Sequence, residues 1–294
     1  MIHTYFRSIG FSELNQNVEL YRILEEVVNH PDEQTIDKDP YGNEFACFSK
    51  YLGENMGITV CGNFMNDDEF RMEYYYPYFH GSNITTSEPV EIERHSSQES
   101  YMGICDELKL GLPLIFYITN VMDVLREKRF SRDQVRANNI VISGLAFSGK
   151  ILFPTAKTPQ IAAIKQKSSQ KRMNLMQQAR DGSRSAMENL TLNDMDMYAS
   201  VSRRIMKEDI LTIVESSIIP YGVESDQYTI IGEILNFYQI KNQISGENIW
   251  IMTLLCNDLK FDICINARHL IGEPEVGRRF RGRIWMQGHL NFGY

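Results

Sequence analysis

The sequence predicts an α+β protein with three parts: an N-terminal α+β domain, a helical connector, and a small C-terminal antiparallel β-barrel resembling the oligonucleotide-binding fold. Three observations predict it. One amphipathic helix is followed by short strands rich in aromatic and β-branched residues, without the regular strand–helix alternation of a doubly wound sheet. From Thr158 to about Met206 the only aromatic residue is Tyr198, and Gln, Ser, Lys, Arg and Met dominate. Beyond Pro220 long strand patterns alternate with tight turns, and a short irregular insert precedes the last strand, an order that suits a Greek-key barrel. The chain has 294 residues, long for one core. The expected parts are 1–156, 157–206 and 207–294.

In order along the chain, a helix is expected near residues 13–29, with Val18, Tyr21, Leu24 and Val28 on one face, widened by Leu20 and Val27. Pro31 closes it. Strands follow at EFACFSKY, ITVCGNF and FRMEYYYPYF, set apart by turn residues such as Tyr41-Gly42-Asn43 and Asn66-Asp67-Asp68. SSQESYMGICDEL is compatible with a helix, and LPLIFYITNVMDVLREKR with an element that ends in a charged helix. In the connector, Thr158-Pro159 starts a helix and Gly182 stops it. Ser185-x-x-Glu188 and Thr191-x-x-Asp194 resemble further starts, and Met195, Tyr198, Val201 and Ile205 recur at helical spacing. In the last third, YTIIGEILNFYQIKN, NIWIMTLLCN and LKFDICIN read as strands, ARHLIGEPEVG as the insert and RRFRGRIWMQGHLNF as the closing strand. Gly232 and Gly282 are expected bends.

The stretch VISGLAFSGKILFP places Gly144, Gly149 and Lys150 at the spacing of a phosphate-binding loop. That loop needs Ser or Thr after the lysine and a helix opening from it, so that amides and the helix dipole face the phosphates. Here Ile151 follows, then Leu152, Phe153 and Pro154. The expected reading is a hairpin in which VIS pairs with ILF across a glycine-containing turn.

Composition is that of an ordinary globular protein, 43% hydrophobic and 23% charged. The start MIHTYFRSIGFSEL lacks the features of a secretion signal, and the longest apolar run, near LPLIFYI, is far short of the roughly 20 residues that span a bilayer. Cys47, Cys61, Cys105, Cys256 and Cys264 form no C-x-x-C pair, which suits reduced thiols in a cytoplasmic protein. Neither a metal nor a cofactor is expected. The net charge of −8 is unevenly distributed: residues 1–100 hold 18 Asp and Glu against 6 Lys and Arg, and residues 124–184 hold 3 against 13. The basic connector could meet an anionic partner or the acidic first hundred residues.

Candidate sites form two groups. In the last strand Arg279, Arg281, Arg283 and Trp285 project to one face, with Phe280, Ile284 and Met286 on the other. With Trp250 and His269 nearby, such a row of arginines and aromatics can hold single-stranded nucleic acid by charge neutralisation and base stacking. Arginines paired with acids on neighbouring strands, such as Asp258, Asp262 or Glu233, are the simpler reading, and residues 207–294 carry 8 Lys and Arg against 11 Asp and Glu. The second group is Tyr74, Tyr76, Tyr78 and His80, an aromatic row able to line a pocket for an organic or sugar ligand, together with Glu91, Glu93 and His95, which share a face if extended. An exposed edge strand accounts for those acids equally well. Asp37-x-Asp39-x-x-Gly42 has the start of a calcium loop but Tyr41 and Phe48 where ligands belong, and reads as an acidic turn. Asn66-Asp67-Asp68-Glu69 reads as a hairpin tip.

The stretches GEPEVGRRFRGRIWMQGHLNF and ESSIIPYGVESDQYTIIGEI resemble an uncharacterised bacterial family of about this length, a domain of unknown function. The resemblance implies a bacterial cytoplasmic protein and carries over no catalytic residue. Together these observations predict a non-enzymatic binding or interaction protein that uses its barrel, with another protein, a second copy of itself or single-stranded nucleic acid as partner. The alternative is a hydrolase or transferase with an inter-domain pocket of dispersed residues.

Overall fold

A computed structural model describes residues 3–293 apart from 15, 40, 66–68, 95–97, 108, 131–136, 156–158, 206–210, 212–213 and 223–224. Among the described residues the molecule is mixed α+β, mostly strands. A two-turn 3-10 helix, Thr4–Ile9, precedes helix α1 (Asn17–Asn29) and the strands β1 (Glu33–Lys38), β2 (Glu44–Gly53), β3 (Met56–Phe64) and β4 (Phe70–Phe79). These four strands form an antiparallel meander in sequence order. Next come β5 (Val90–Arg94), β6 (Tyr101–Glu107), β7 (Leu112–Ile118), α2 (Val121–Phe130) and β8 (Asn139–Leu152). Two helices, α3 (Pro159–Arg180) and α4 (Arg184–Ile205), lead to β9 (Ser217–Pro220), β10 (Gln227–Lys241), β11 (Asn248–Cys256), β12 (Leu259–Asn266), β13 (Leu270–Ile271) and β14 (Arg279–Asn291).

The second sheet closes on itself. Its order runs β8-β12-β11-β10-β14, and β14 pairs again with β8, giving a closed five-stranded barrel. The β8–β12 pair is parallel and the other four pairs are antiparallel. Beyond residue 286 β14 takes β7 as a parallel neighbour, and β6 and β5 extend the sheet outward. The barrel therefore draws one strand, β8, from ahead of the helical connector. It is filled by Phe280, Ile284 and Met286 of β14, as their alternation predicts, with Ile230, Leu254, Ile263 and Ala146 also buried.

β8 corrects the expected hairpin. Residues 139–152 are one unbroken strand, and Gly144, Gly149 and Lys150 all lie within it. The glycines serve packing: a Cβ on Gly149 would stand 2.2 Å from the Phe280 ring, and one on Gly282, its cross-strand partner, 2.5 Å from the same ring. The Phe280 ring occupies the space over this glycine pair, so the motif is the seat of an aromatic ring. Gly232 leaves room in the same way for Cys256.

Three further expectations are corrected. SSQESYMGICDEL contains strand β6, whose alternating burial of Tyr101, Gly103 and Cys105 fits extended backbone. The buried face of α1 is Leu20, Leu24 and Val27, while Val18 and Tyr21 are exposed, so the stripe lies about one position round from the expected one. Thr191 starts no helix; it sits inside α4 and its hydroxyl donates to the Met187 carbonyl. The α3–α4 hairpin reaches the acidic first hundred residues through Arg180, which lies 3.7 Å from Glu88, and the same guanidinium lies 3.9 Å from Asp106. The tip residues 66–68 and His95 lie outside the described residues. No helix among the described residues is long and apolar enough to cross a membrane.

The meander and the barrel are stitched together by β4. Gln287 of β14, fully buried, donates to the Pro77 carbonyl at 2.9 Å and accepts from the Phe79 amide at 3.1 Å. The Ser143 hydroxyl of β8 donates to the Phe79 carbonyl. The Thr4–Ile9 turn wedges between the two sheets, with Tyr5, Phe6 and Ile9 buried and Ser8 donating to the Ala146 carbonyl at 2.8 Å.

Candidate functional site, a cleft between meander and barrel

A cleft of about 670 Å³ opens where the meander meets α2 and the end of the barrel, a size suited to a small organic ligand. Its aromatic wall follows from strand periodicity. Tyr74, Tyr76, Tyr78 and His80 share one face of β4 and its exit, and the last three line the cleft. Tyr76 donates to the Thr119 carbonyl at 2.9 Å, which anchors the approach to α2. Opposite stands His289 of β14. The rings of His80 and His289 meet edge to face, centroids 5.2 Å apart and planes at 80°. Tyr78 lies 4.8 Å from His80.

Hydroxyls and amides complete the lining. Ser49 and Thr59 face each other across β2 and β3, 2.9 Å apart. Asn120 caps the entry to α2: its side chain donates to Asp123 and to the Leu290 carbonyl and accepts from the Leu290 amide. Glu33, Glu54 and Asp123 bring carboxylates to the rim, and no Lys or Arg is among the described lining residues. Tyr51 donates to Glu33 at 2.9 Å.

Two buried polar atoms in this wall, the Tyr78 hydroxyl and His289 Nδ1, have no hydrogen-bond partner within the described protein. Such atoms are costly to leave unmet and are natural contacts for a ligand or water. Burial drives His80 from 6.5 down to about 4, helped by His289 beside it. Burial also lowers His289, opposed by Asp123 and Glu33. Both imidazoles are therefore neutral at pH 7, each with one donor and one acceptor nitrogen. Among the described residues no group of three or more His, Cys, Asp or Glu could hold a metal ion.

The other expected residues lie elsewhere. Tyr74 is half-buried and donates to the Glu99 carbonyl at 2.6 Å. Glu91 and Glu93 are exposed on β5, the outer strand of the large sheet, far from this wall in the strand order. Arg279 is buried and gives its guanidinium to the carbonyls of Phe153, Val214 and Leu211. Arg283 binds Gln227 and lies 3.7 Å over the Tyr221 ring. Arg281 is half-buried opposite Ile231 and Lys150. Trp285 is buried against His3, Tyr5 and Tyr117, its indole donating to Asp226 at 2.7 Å, so its ring offers no open face to a base. Trp250 packs edge-on against Phe237, and His269 keeps a buried Nε2 with no partner within the described protein. Of the expected acids, Asp262 serves other groups: it accepts from Ser82 and Thr253.

His289 was missed as a site residue although a signal existed. The alternation that sets Arg279, Arg281, Arg283 and Trp285 on one face continues through Gln287 to His289. The carboxylates and Asn120 had no such signal, because they reach the cleft from separate places: Glu33 from β1, Glu54 from the β2–β3 turn, and Asn120 and Asp123 from the start of α2.

Over residues 6–288 the sequence matches the family described as "Domain of unknown function, E. rectale Gene description (DUF3881)", and the chain belongs to that family. No curated protein and no solved structure matches the chain.

Proposed function

We propose that this is a small-molecule-binding protein whose site is the cleft between the meander and the barrel, and that its ligand is an uncharged or cationic polar organic molecule. The observation that carries this reading is the pair of unmet polar atoms, Tyr78 Oη and His289 Nδ1, in the wall of a ligand-sized cleft. Aromatic rings beside hydroxyls and amides suit a sugar-like or amine ligand, and three carboxylates with no Lys or Arg among the described lining residues disfavour an anion. The barrel takes part through His289 and through Gln243 after β10.

The barrel's order supports an oligonucleotide-binding-fold kinship of unusual connectivity. Read from β10, the order β10-β11-β12-β8-β14 repeats that fold's circuit, including its one parallel pair, with the last strand moved to the front. The face of β11 and β12 where such folds hold oligonucleotides is partly covered by the chain itself. Ser82 binds Asp262, and Asn266 binds Glu247, which also holds Ser12. That cover, with the burial of Trp285, favours a small ligand over single-stranded nucleic acid.

A second reading, a hydrolase or transferase in the same cleft, is favoured by His80 and His289 standing among carboxylates. An imidazole held near 4 is a weak general base at neutral pH, and this ranks binding first. Thermal-shift and calorimetric titration with N-acetylglucosamine, choline and citrate tests the proposal. Stabilisation by either of the first two, lost in Tyr78→Phe and His289→Ala, is expected. Stabilisation by citrate alone, or by none of the three, overturns this ligand class.

A further inference from the structure

We propose that Cys47 and Cys61 form a dithiol in the cleft wall, a modification site that closes to a disulfide when hydrogen peroxide enters the cleft. The two residues are direct partners on the antiparallel strands β2 and β3. Opposed residues in such a ladder have Cα atoms about 4.5–5.5 Å apart, whichever pair type they form. Disulfides span about 4.4–6.8 Å between Cα atoms, so closure needs no strand movement. The next pair along the same face, Ser49 and Thr59, already meets at 2.9 Å, so side chains in this row lean together.

Access has one direction. Cys47 lines the cleft, and Cys61, its fully buried cross-strand partner, is not among the lining residues. On its other side Cys61 is flanked by Tyr74 of β4, whose ring stacks 6.2 Å from that of Tyr76. Cys105, Cys256 and Cys264 are buried away from the cleft lining. Cys47 therefore reacts first. Its thiolate attacks the peroxide oxygen, forming a sulfenic acid and releasing one water once a proton is supplied. Cys61 then displaces the hydroxyl as a second water, forming the S–S bond. Two thiols give up two electrons, which reduce one peroxide to two waters. Burial keeps the Cys47 thiol well above its ordinary range, so few thiolates are present at neutral pH and the reaction is slow. The inference does not depend on which ligand the cleft binds.

The test treats the full chain with hydrogen peroxide, alkylates it under denaturing conditions and digests it with trypsin. Cleavage after Lys38, Lys50 and Arg71 places Cys47 and Cys61 on separate peptides. The expected product is those two peptides cross-linked, with the other three cysteines still alkylated. In Cys61→Ala the expected product is a sulfenic acid on Cys47, captured by dimedone, with circular dichroism confirming the fold. Recovery of both peptides alkylated and unlinked after prolonged exposure overturns the proposal, as does a disulfide to any other cysteine. Progression of Cys47 to sulfinic acid in the wild-type chain, with Cys61 untouched, would also overturn it.

Discussion

The Gln287 side chain of β14 holds β4 at Pro77, accepting from one backbone amide and donating to one carbonyl while itself fully buried. This joint fixes the spacing between the two walls of the cleft, because His80 directly follows β4 and His289 lies two residues beyond Gln287 in β14. Replacing Gln287 by Leu keeps the volume but leaves the Phe79 amide and the Pro77 carbonyl unmet. The expected cost is about 2–5 kcal/mol, read as a lower denaturant midpoint. Any ligand of the cleft should bind at least several-fold more weakly.

Acid should loosen the fold as well. His80 and His3 are both lowered by burial to about 4 from an ordinary 6.5. An unfolded imidazole takes up its proton as pH falls through 6.5, while these two resist until about 4. Their contribution is complete above 6.5 and is lost on acidification across the window from 6.5 to 4. Urea midpoints measured at pH 7, 5.5 and 4.5 should decline, and the decline should be shallower in a His3→Gln, His80→Gln double variant.

The glycine–phenylalanine stack makes a sharp contrast with the phosphate-loop spacing. Phe280→Ala empties the space over Gly149 and Gly282 and should cost about 3–5 kcal/mol. Gly149→Ala pushes a Cβ into the same ring and should also destabilise. Lys150→Ala should stay within about 0.5 kcal/mol of the parent chain, as surface changes usually do, and calorimetry with ATP should give the same signal for both proteins.

Arg279 should behave as a structural cation. Its guanidinium serves carbonyls of Phe153, Val214 and Leu211 in three directions, a fan that an ammonium on a flexible stem matches poorly. Arg279→Lys should therefore lower thermal stability measurably, and Arg279→Met more. In neither variant should any affinity for a single-stranded oligonucleotide measured at low salt fall relative to an Arg281→Ala control.

Much of this architecture was legible because period-two patterns are strong in the long strands. β4, β10, β11, β12 and β14 fall within about a residue or two of their expected bounds, and turns such as Asn257-Asp258 use the positive φ angles their residue types favour. Failures came where local pattern is ambiguous. Gly144 and Gly149 signal a turn locally, and only the distant Phe280 reveals that they make room for a ring. The row from Arg279 to Trp285 had the right facing, but the chain covers that face with residues 3–5, Asp226 and Gln227, and covering is a tertiary fact. The cleft was half visible: β4 announced its tyrosines and His80, while His289 and Asp123 arrive from elements that no sequence proximity connects.

The place of β14 in the ladder also sets when folding can finish. This strand is paired with β10, β8 and β7, and β8 otherwise depends on β12 and β13, which are made late as well. A ribosome that has delivered only the first 205 residues has released β8 without any neighbouring strand of its barrel. The final thirteen-residue strand, Arg279–Asn291, acts as the closing bolt of the whole assembly. Nascent chains should remain protease-sensitive until it emerges, and cuts that remove it should unhinge the barrel and the β5–β7 wing together.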